Sequence, residues 1–333
     1  MFEKTIIRRS LGRPWLVLAS IIALGVLVPL TTVAQVPARM YWKTLAGGNA
    51  VPLIVTGASG NTNPFDPALI VAPGGNVSAT TALVGYVRTL SLFGRGATLG
   101  ILEMVGHVSG EVDVAGQSYS ESARGFGDPT VELCVNLIGP PAQINLVDAF
   151  RYEPGFSLDL IADLAIPIGE YDTSRTLNLG QNRWYGRLGA PIVWQIGPWV
   201  PGRRTTLEFL PGVWLFGDND EYAGKTLSTD PLFQLDVHLT RDVTERLWGA
   251  LDGVWYKGGK ASVDGVEGDE LDNLAVGFTV GYHINDNLNL SVGYKSTVND
   301  SDPGALQMDG FMISLVAGWH PIIEGARRLK GED

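Results

Sequence analysis

The amino-acid sequence predicts an all-β fold, namely a transmembrane antiparallel β-barrel of about twelve strands with long extracellular loops and short periplasmic turns. Three observations support this prediction. Apolar and polar residues alternate along many segments, the connections between these segments alternate in length, and the N-terminus has the layout of an export signal.

The alternation is clearest in the segment 156–168. Its even positions are all apolar, whereas its odd positions include Asp159 and Asp163. The same pattern recurs in 131–137, 184–196, 233–239, 274–284, 288–294 and 311–319. Period-two patterns of this length and number indicate half-buried antiparallel strands. Five less regular segments bring the expected number of strands to twelve, and these are 51–57, 81–93, 97–110, 204–216 and 247–257.

The connections between these segments are sorted by length. The long ones fall near 58–80, 110–125, 169–182, 217–230, 258–271 and 298–309. The short ones fall near 93–96, 197–203, 241–246 and 285–287, with 139–154 as a longer exception. Outer-membrane barrels sort their loops in this way, and a soluble sandwich has no reason to do so. Segments of about ten residues also match a tilted membrane crossing.

Aromatic residues offer an independent indication of a membrane barrel. In the expected register seven of them face outward near strand ends. Trp194, Phe209, Tyr282 and Trp319 lie toward the short turns, and Trp184, Trp255 and Tyr294 lie toward the long loops. Two such belts are typical of the two membrane interfaces, whereas aromatics that fill a soluble core need not cluster at strand ends.

Residues 1–34 are interpreted as a secretory signal peptide. Four basic residues precede the apolar run 15–30, and small residues follow it. An uncleaved inner-membrane anchor is the alternative, because sixteen apolar residues nearly span a bilayer. Pro29 and the small residues favour cleavage. We therefore expect a barrel over 35–320, a periplasmic tail over 321–333, and a location in the outer membrane of a Gram-negative bacterium.

Charge and cysteine content exclude several classes of function. The formal net charge is −11, and removal of residues 1–34, with four basic residues and one acid, leaves about −14. This balance argues against nucleic acid as a partner. The single Cys134 excludes an internal disulfide and a cysteine metal cluster. The acidic runs 218–221 and 264–270 lack the spacing of a calcium loop, so neither a metal nor another cofactor is expected.

Several motifs resemble one bacterial family. They are GFGDP at 125–129, YEPGFSLDL, PIGEYD and NLGQNRWYGRLGAPIVWQIG between 152 and 197, NDNLNLSVGYK at 285–295 and GFMISLVAGWHP at 310–321. Together they resemble the transporter-like outer-membrane family labelled "Putative MetA-pathway of phenol degradation", over roughly 40–320. The resemblance implies a barrel for aromatic or other small hydrophobic compounds. It brings no ligand-binding residues with it.

Strand parity places one group of polar residues in the lumen, because a basic side chain facing lipid at mid-membrane costs about 2–4 kcal/mol. If the 169–182 loop closes its hairpin symmetrically, Asp163 lies nearly opposite Arg187. Opposed charges on neighbouring strands of this kind form a charge ladder. Glu132, Asp159 and Arg183 extend it along the neighbouring strands, and Tyr185 lies between the two arginines. The complete group is Glu132, Asp159, Asp163, Arg183, Tyr185 and Arg187.

A second lumen group is expected from Asp236, His238, Asp252, His283 and Lys295. Register counting places Asp236 near Asp252, with Lys295 reachable across Gly277. Opposed charges of this kind form a selectivity zone in channels. The alternative is that they neutralise one another and fill a narrow barrel, and this is favoured for any single residue. A polar path is the better interpretation of the set as a whole.

Three functions remain open from the sequence. The leading hypothesis is passage of small molecules across the outer membrane, with membrane lipid and a small solute as partners. A plugged structural or surface-interaction barrel is the second. The third is a lipid hydrolase, which requires a serine beside a histidine, and His107 with Ser109 is the candidate pair. We expect no enzyme and no catalytic residue, and the sequence leaves the substrate and the oligomeric state open.

Overall fold

The computed structural model describes residues 36–114, 116–298 and 304–330 of the chain. The predicted signal peptide, residues 1–34, lies outside the described residues. Helices in these ranges are short, and none has the length and apolar character needed to cross a bilayer.

The described residues form a closed antiparallel barrel of twelve strands, as the sequence predicts. The described ranges contain eighteen strand segments, of which fourteen build the wall and four form a separate sheet. They are β1 (Asn49–Gly60), β2 (Gly75–Leu92), β3 (Arg95–Val114), β4 (Gln117–Phe126), β5 (Thr130–Ile138), β6 (Phe156–Ala165), β7 (Tyr185–Gly189), β8 (Ile192–Gln195), β9 (Thr205–Phe216), β10 (Asn219–Tyr222), β11 (Lys225–Thr229), β12 (Leu232–Asp242), β13 (Leu247–Gly258), β14 (Ala261–Val263), β15 (Val266–Glu267), β16 (Leu271–Asn285), β17 (Leu288–Val298) and β18 (Met308–Trp319). The wall closes where β18 pairs with β1 and where β9 pairs with β12.

Two of the barrel strands are interrupted. β4 and β5 both pair with β3, one after the other, and so together form one barrel strand. β7 and β8 likewise share their partners β6 and β9. Strands β10, β11, β14 and β15 form a separate four-stranded sheet and do not belong to the wall. The wall is therefore continuous at most positions but contains two breaks.

The period-two prediction is confirmed along β6. Phe156, Leu160 and Leu164 are exposed on the outer face, whereas Asp159 and Asp163 are buried on the inner face. Six of the seven predicted belt aromatics are exposed, and Phe209 is half-buried. The outer surface is therefore an apolar band with aromatic residues near its edges, as lipid contact requires.

The long-loop end of the barrel is more structured than the sequence suggests. The expected loop at 110–125 is a continuation of β3 that turns into β4. The expected loops at 217–230 and 258–271 contain the β10–β11 and β14–β15 hairpins, which pair with each other. Asp264 and Gly265 both have positive φ, at 50° and 79°, and an Asp-Gly pair is a strong signal for a two-residue hairpin turn.

Helices occur only at the short-turn end of the described chain. Helix α1 (Leu146–Arg151) lies in the longer connection 139–154. Its N-cap Asn145 accepts a hydrogen bond from the backbone N–H of Asp148 at 3.0 Å, which satisfies a free donor of the first turn. Helix α2 (Pro321–Lys330) follows the last strand directly.

The GFGDP motif spans the end of β4 and the break before β5, and it organises the neighbouring segment 166–183. The Asp128 carboxylate accepts hydrogen bonds from the backbone N–H groups of Gly169 at 2.9 Å and Gln181 at 2.8 Å. A Cβ on Gly169 would lie 2.5 Å from the carbonyl carbon of Gly127 and 2.8 Å from Cα of Gly180. Three backbone segments therefore cross at glycines, because side chains would separate them.

This crossing predicts that Gly169→Ala destabilises the barrel. The added methyl group clashes with backbone atoms that have no freedom to move aside, and overpacking of this kind typically costs about 1–3 kcal/mol. The free energy of unfolding, measured by denaturant titration of the detergent-solubilised protein, is expected to fall accordingly. In the control Gly253→Ala the new Cβ has its nearest neighbour, the Ala275 oxygen, at 3.9 Å. Equal unfolding midpoints for the two variants would contradict the prediction.

Candidate solute cavity and lumen charges

Residues 36–48, the inner segment, lie inside the barrel at the short-turn end. The Arg39 guanidinium pairs with Asp242 at 2.7 Å, and its backbone N–H donates to Glu208 at 2.9 Å. The indole N–H of Trp42 donates to the same Glu208 carboxylate at 2.8 Å. The Lys43 ammonium contacts the Asp159 carboxylate. The inner segment is thus attached to strands β6, β9 and β12.

Charge complementarity explains why the inner segment enters the lumen. The wall contributes buried carboxylates there, and a buried charge is tolerated only when it is paired and hydrogen-bonded. Arg39 supplies one cation and also stacks between the rings of Trp42 at 4.3 Å and Trp248 at 4.4 Å. Sequence reasoning missed this insertion. The available signal was a short basic and aromatic run directly before the first strand.

The connection 61–74 between β1 and β2, the inward loop, enters the lumen from the long-loop end. Leu69 packs in an apolar cluster with Leu232, Val254 and other residues of the opposite wall. The Asp66 carboxylate pairs with Arg183 at 3.3 Å. The lumen is therefore narrowed from both ends by segments of the same chain.

A cavity of about 230 Å³ lies between the inner segment and the inward loop. Most of its lining is apolar or aromatic. These lining residues include Met40, Tyr41, Ile54, Phe65, Leu69, Leu102, Met104, Leu179, Tyr185, Trp214 and Tyr256. The charged residues of the lining are Asp66, Asp128, Glu132, Asp163 and Arg187. The cavity is thus an apolar chamber with acids and one guanidinium in its wall.

Glu132, Asp163 and Arg187 lie side by side on β5, β6 and β7 in this wall. The Arg187 Nε–H donates to Asp163 Oδ2 at 2.7 Å, and the guanidinium lies 5.2 Å from the Trp214 ring. Asp163 Oδ1 is buried and accepts no hydrogen bond from an N–H or hydroxyl group within the described part of the chain, and the Glu132 carboxyl lies within hydrogen-bonding reach of Asp163. Because Asp163 lines the cavity, this oxygen can accept a hydrogen bond from a bound molecule.

Asp159 and Arg183, two members of the predicted lumen group, are buried but pair with residues outside the neighbouring strands. Asp159 pairs with Lys43 of the inner segment and accepts a hydrogen bond from Asn136 at 2.8 Å. Its cationic partner is therefore a lysine of the inner segment and not an arginine of the next strand. Arg183 lies before β7, at the long-loop end, where it pairs with Asp66 and donates to Thr229 at 2.8 Å. The chain leaves the wall before residue 185, and strand parity therefore does not apply to Arg183.

The second lumen group lies on β12, β13, β16 and β17, between the cavity and the short-turn end. His238 Nδ1 lies 2.7 Å from Asp252 Oδ1, and the Thr279 hydroxyl donates to Asp252 Oδ2 at 2.6 Å. Asp236 pairs with Lys295, with 3.9 Å between Oδ1 and Nζ. His238 is the residue directly opposite Asp252, and Asp236 is the diagonal neighbour of Asp252 on the same face of the sheet. Lys295 lies opposite Gly277 on the next strand pair.

Several polar atoms of this group remain unsatisfied. Asp236 Oδ1, His238 Nε2 and Lys295 Nζ are buried and have no hydrogen-bond partner among the described residues. Leaving a buried polar atom unpaired costs free energy, about 1–3 kcal/mol for a neutral group and more for a charged one. These atoms can therefore bind water or polar solutes that enter the lumen.

Other candidate chemistry is placed as follows. The described residues contain no group of three or more His, Cys, Asp or Glu side chains positioned to hold a metal ion. His107 is exposed on β3, opposite Thr80 and Arg124. The Ser109 hydroxyl donates to the Ser78 carbonyl at 3.5 Å, and no hydrogen bond joins it to His107 within the described ranges. Cys134 is a buried free thiol.

The twelve-stranded wall, its apolar outer band and its polar lumen define an outer-membrane type of β-barrel. The sequence matches the family described as "Putative MetA-pathway of phenol degradation" over residues 47–315, and the chain belongs to this family. The resemblance inferred from the GFGDP and PIGEYD motifs is thereby confirmed. The sequence matches no curated protein.

Solved structures of similar fold are also outer-membrane barrels. A COG4313 outer membrane channel from Pseudomonas putida F1 is 16% identical, with a TM-score of 0.69 over 86% of this chain and 100% of that chain. The β domain of the Bordetella autotransporter BrkA is 11% identical, with a TM-score of 0.46 over 81% of this chain and 99% of that one. The first likeness identifies the fold, and the second is too distant to support an argument.

The contacts of the inner segment predict that Lys43→Met loosens it. Asp159 would keep its charge but lose its only cationic partner among the described residues, which costs roughly 1–3 kcal/mol or more. Single-channel recordings in planar bilayers are expected to show more frequent or longer open states than the unaltered protein. Lys257→Met is the matched control, because its pair with Asp272 is exposed. Identical gating of both variants would argue against Lys43 as an anchor.

Proposed function

We propose that this protein is an outer-membrane channel for small molecules, with single-ring aromatic compounds that carry a hydroxyl group as its preferred solutes. The observation that supports this most is the cavity between the inner segment and the inward loop, because it joins an apolar lining to the buried carboxyl groups of Asp163 and Glu132. The family description supports the choice of solute class.

The size of the cavity limits the solute. An apolar cavity of about 150 Å³ is large enough to bind benzene. Pockets for drug-sized ligands typically span about 300–1,000 Å³. A cavity of about 230 Å³ lies between these limits, so it suits one substituted ring better than two fused rings or a disaccharide.

The chemistry of the wall favours a neutral hydrogen-bond donor. The rings of Tyr41, Trp214 and Tyr256 and the thioether of Met104 provide surfaces on which an aromatic ring packs. Asp163 Oδ1 accepts the hydroxyl hydrogen, and a hydrogen bond to a carboxylate is roughly twice as strong as one between neutral groups. Glu132 beside it disfavours anionic solutes at this position.

The lumen charges are assigned a role along the axial route. Asp236, His238, Asp252 and Lys295 follow the cavity toward the short-turn end, where the inner segment lies. We assign to them, together with Glu132, Asp159, Asp163, Arg183, Tyr185 and Arg187, the lining and bracing of the lumen. Water and polar solutes pass along this wall when the inner segment moves aside.

A plugged barrel is the second candidate function, and the inner segment is the observation that favours it. Three wall carboxylates, those of Asp159, Glu208 and Asp242, hold this segment at the short-turn end. In that case the four-stranded sheet of β10, β11, β14 and β15, outside the barrel wall, is the surface that interacts with other molecules. Planar bilayers that stay silent at all voltages with correctly folded protein would favour this candidate.

Charge reversal at Arg187 tests the channel. Arg187→Glu changes the local charge by two units beside Asp163 and Glu132, so cations are expected to be favoured over anions more strongly than in the unaltered protein. The measurement is the reversal potential of single-channel currents in a salt gradient. Lys260→Glu is the control, because Lys260 lies outside the barrel in the β14 hairpin region. Equal shifts in both variants would remove Arg187 from the conducting path.

Solute preference is tested by uptake in cells that lack their own copy of the gene. Expression of the protein is expected to speed the uptake of phenol more than that of toluene or of a sugar of similar size. Asp163→Asn keeps the shape but weakens the acceptor, so it should reduce the preference for phenol over toluene. Equal uptake of all three solutes by the unaltered protein would overturn the proposed solute class.

A further inference from the structure

The outer face of β3 changes from apolar to polar at one residue. Ile101 and Val105 are exposed apolar side chains, and Phe126, which lies opposite Val105 on β4, is exposed as well. The next outward residue toward the long-loop end is His107, which is also exposed. The apolar band of a membrane barrel faces the lipid tails. His107 therefore lies where the headgroups of the outer leaflet begin.

Beyond this boundary, two rows of outward side chains form a polar patch on β2, β3 and β4. Neighbouring strands lie about 4.8 Å apart, and successive outward residues of one strand lie about 7 Å apart. The patch therefore measures about 10 Å by 7 Å. It presents hydroxyl groups, an imidazole and a guanidinium, but no carboxylate. Its members are Thr80, His107 and Arg124 in one row, and Ser78, Ser109 and Ser122 in the next.

The two basic members of the polar patch have no partner of opposite charge. Neither Arg124 nor His107 forms an ion pair with any residue that the structure describes. Both side chains are exposed, in a chain whose formal net charge is −11. A guanidinium presents five N–H donors in a rigid fork that matches the oxygens of a phosphate. The Thr80–His107–Arg124 row is therefore suited to a phosphate group.

A polar groove of about 650 Å³ continues from the patch, between β4 and the segment 166–183. Pockets for drug-sized ligands span about 300–1,000 Å³, so the groove has room for a saccharide unit. Three members of the patch, His107, Ser122 and Arg124, form one side of it. The other side consists of Glu170, Tyr171, Asp172, Arg175 and Asn178.

The charges of the groove leave one acid exposed beside the patch. The Arg175 guanidinium pairs with Asp172 at 3.1 Å and donates to the Ser122 carbonyl at 3.0 Å, so these two charges neutralise each other. Glu170 lies against Gly125 of β4 and is exposed. A carboxylate accepts hydrogen bonds and repels phosphate, so the groove favours hydroxyl groups where Glu170 lies. The phosphate position is thereby confined to the patch.

We propose that this outer surface binds the phosphorylated saccharide headgroup of a glycolipid in the outer leaflet. The phosphate contacts Arg124 and His107, and charge-assisted hydrogen bonds of this kind are about twice as strong as neutral ones. Sugar hydroxyl groups meet the serines of the patch and Glu170 in the groove. An acyl chain packs along Val105 and Phe126 below them.

Three adjoining parts of the surface select this occupant over simpler ones. A free phosphate would use only the basic row, and a soluble sugar would use only the groove. A phospholipid would use the basic row and the apolar wall but leave the groove empty. Only a lipid that joins an acyl chain, a phosphate and a saccharide meets all three. The site lies on the outer face of the barrel, so it does not depend on which solute passes through the lumen.

Removal of the two basic side chains tests the site. The probe is lipid A, a phosphorylated and acylated disaccharide, which is titrated into the detergent-solubilised protein and counted on it by native mass spectrometry. A chelator is present throughout, so that divalent cations cannot bridge carboxylates to phosphate. The affinity of the double variant His107→Gln/Arg124→Gln is expected to be about tenfold lower than that of the unaltered protein, equivalent to about 1.4 kcal/mol.

Arg88→Gln is the matched control, because Arg88 is an exposed arginine on the same outer face, at the short-turn end of β2. Its affinity for lipid A should equal that of the unaltered protein. Heat-dependent electrophoretic mobility verifies that each variant is folded. An unchanged affinity in the double variant, or an equal loss in Arg88→Gln, would overturn the proposal, since binding would then not involve this row.

Three further probes distinguish the parts of the ligand. Lipid A without its phosphates and phosphatidylglycerol are each expected to bind the unaltered protein about tenfold more weakly than lipid A. Inorganic phosphate at millimolar concentration is expected not to displace lipid A. Equal binding of the dephosphorylated form would remove the phosphate contact. Equal binding of phosphatidylglycerol, or displacement by inorganic phosphate, would show a site without saccharide recognition and would contradict the proposed ligand class.

Discussion

The pairing of lumen carboxylates with cations is the constraint on which the rest of the structure depends. A membrane barrel has to turn its acids inward, and the narrow lumen then removes them from bulk water. Neighbouring strands supply one solution, Arg187 beside Asp163. The chain upstream of the first strand supplies two further cations, Lys43 to Asp159 and Arg39 to Asp242. The cavity is the space that these pairings leave open.

The wall and its interior charges differ in how far they can be predicted from the sequence. The twelve strands follow from a local pattern, because alternation is visible within each segment. The contact of Asp163 with Arg187 follows from the symmetry of one hairpin. Arg183 departs from that rule because the chain has already left the wall. The inner segment depends on contacts across more than a hundred residues, which no local pattern encodes.

The GFGDP motif links the family resemblance to the site. Its glycines let the backbone of the segment 166–183 lie in direct contact with the backbone of the motif. Asp128 accepts the hydrogen bonds from Gly169 and Gln181 that hold this segment in place. The same residues interrupt the strand pairing with β3 and border the cavity. The GFGDP motif therefore brings together the break between β4 and β5, the segment 166–183 and the wall of the cavity.

The position of the inner segment has a practical consequence for handling the protein. Residues 36–48 precede β1 directly, and β1 is the strand on which the wall closes against β18. A peptide tag joined immediately before Val36 would therefore begin inside the lumen, because Val36 lines the cavity, and it would obstruct the cavity or hold Arg39 and Lys43 away from their partners. A tag placed in the turn between β14 and β15, at Asp264 and Gly265, lies in the separate sheet and leaves the barrel interior untouched.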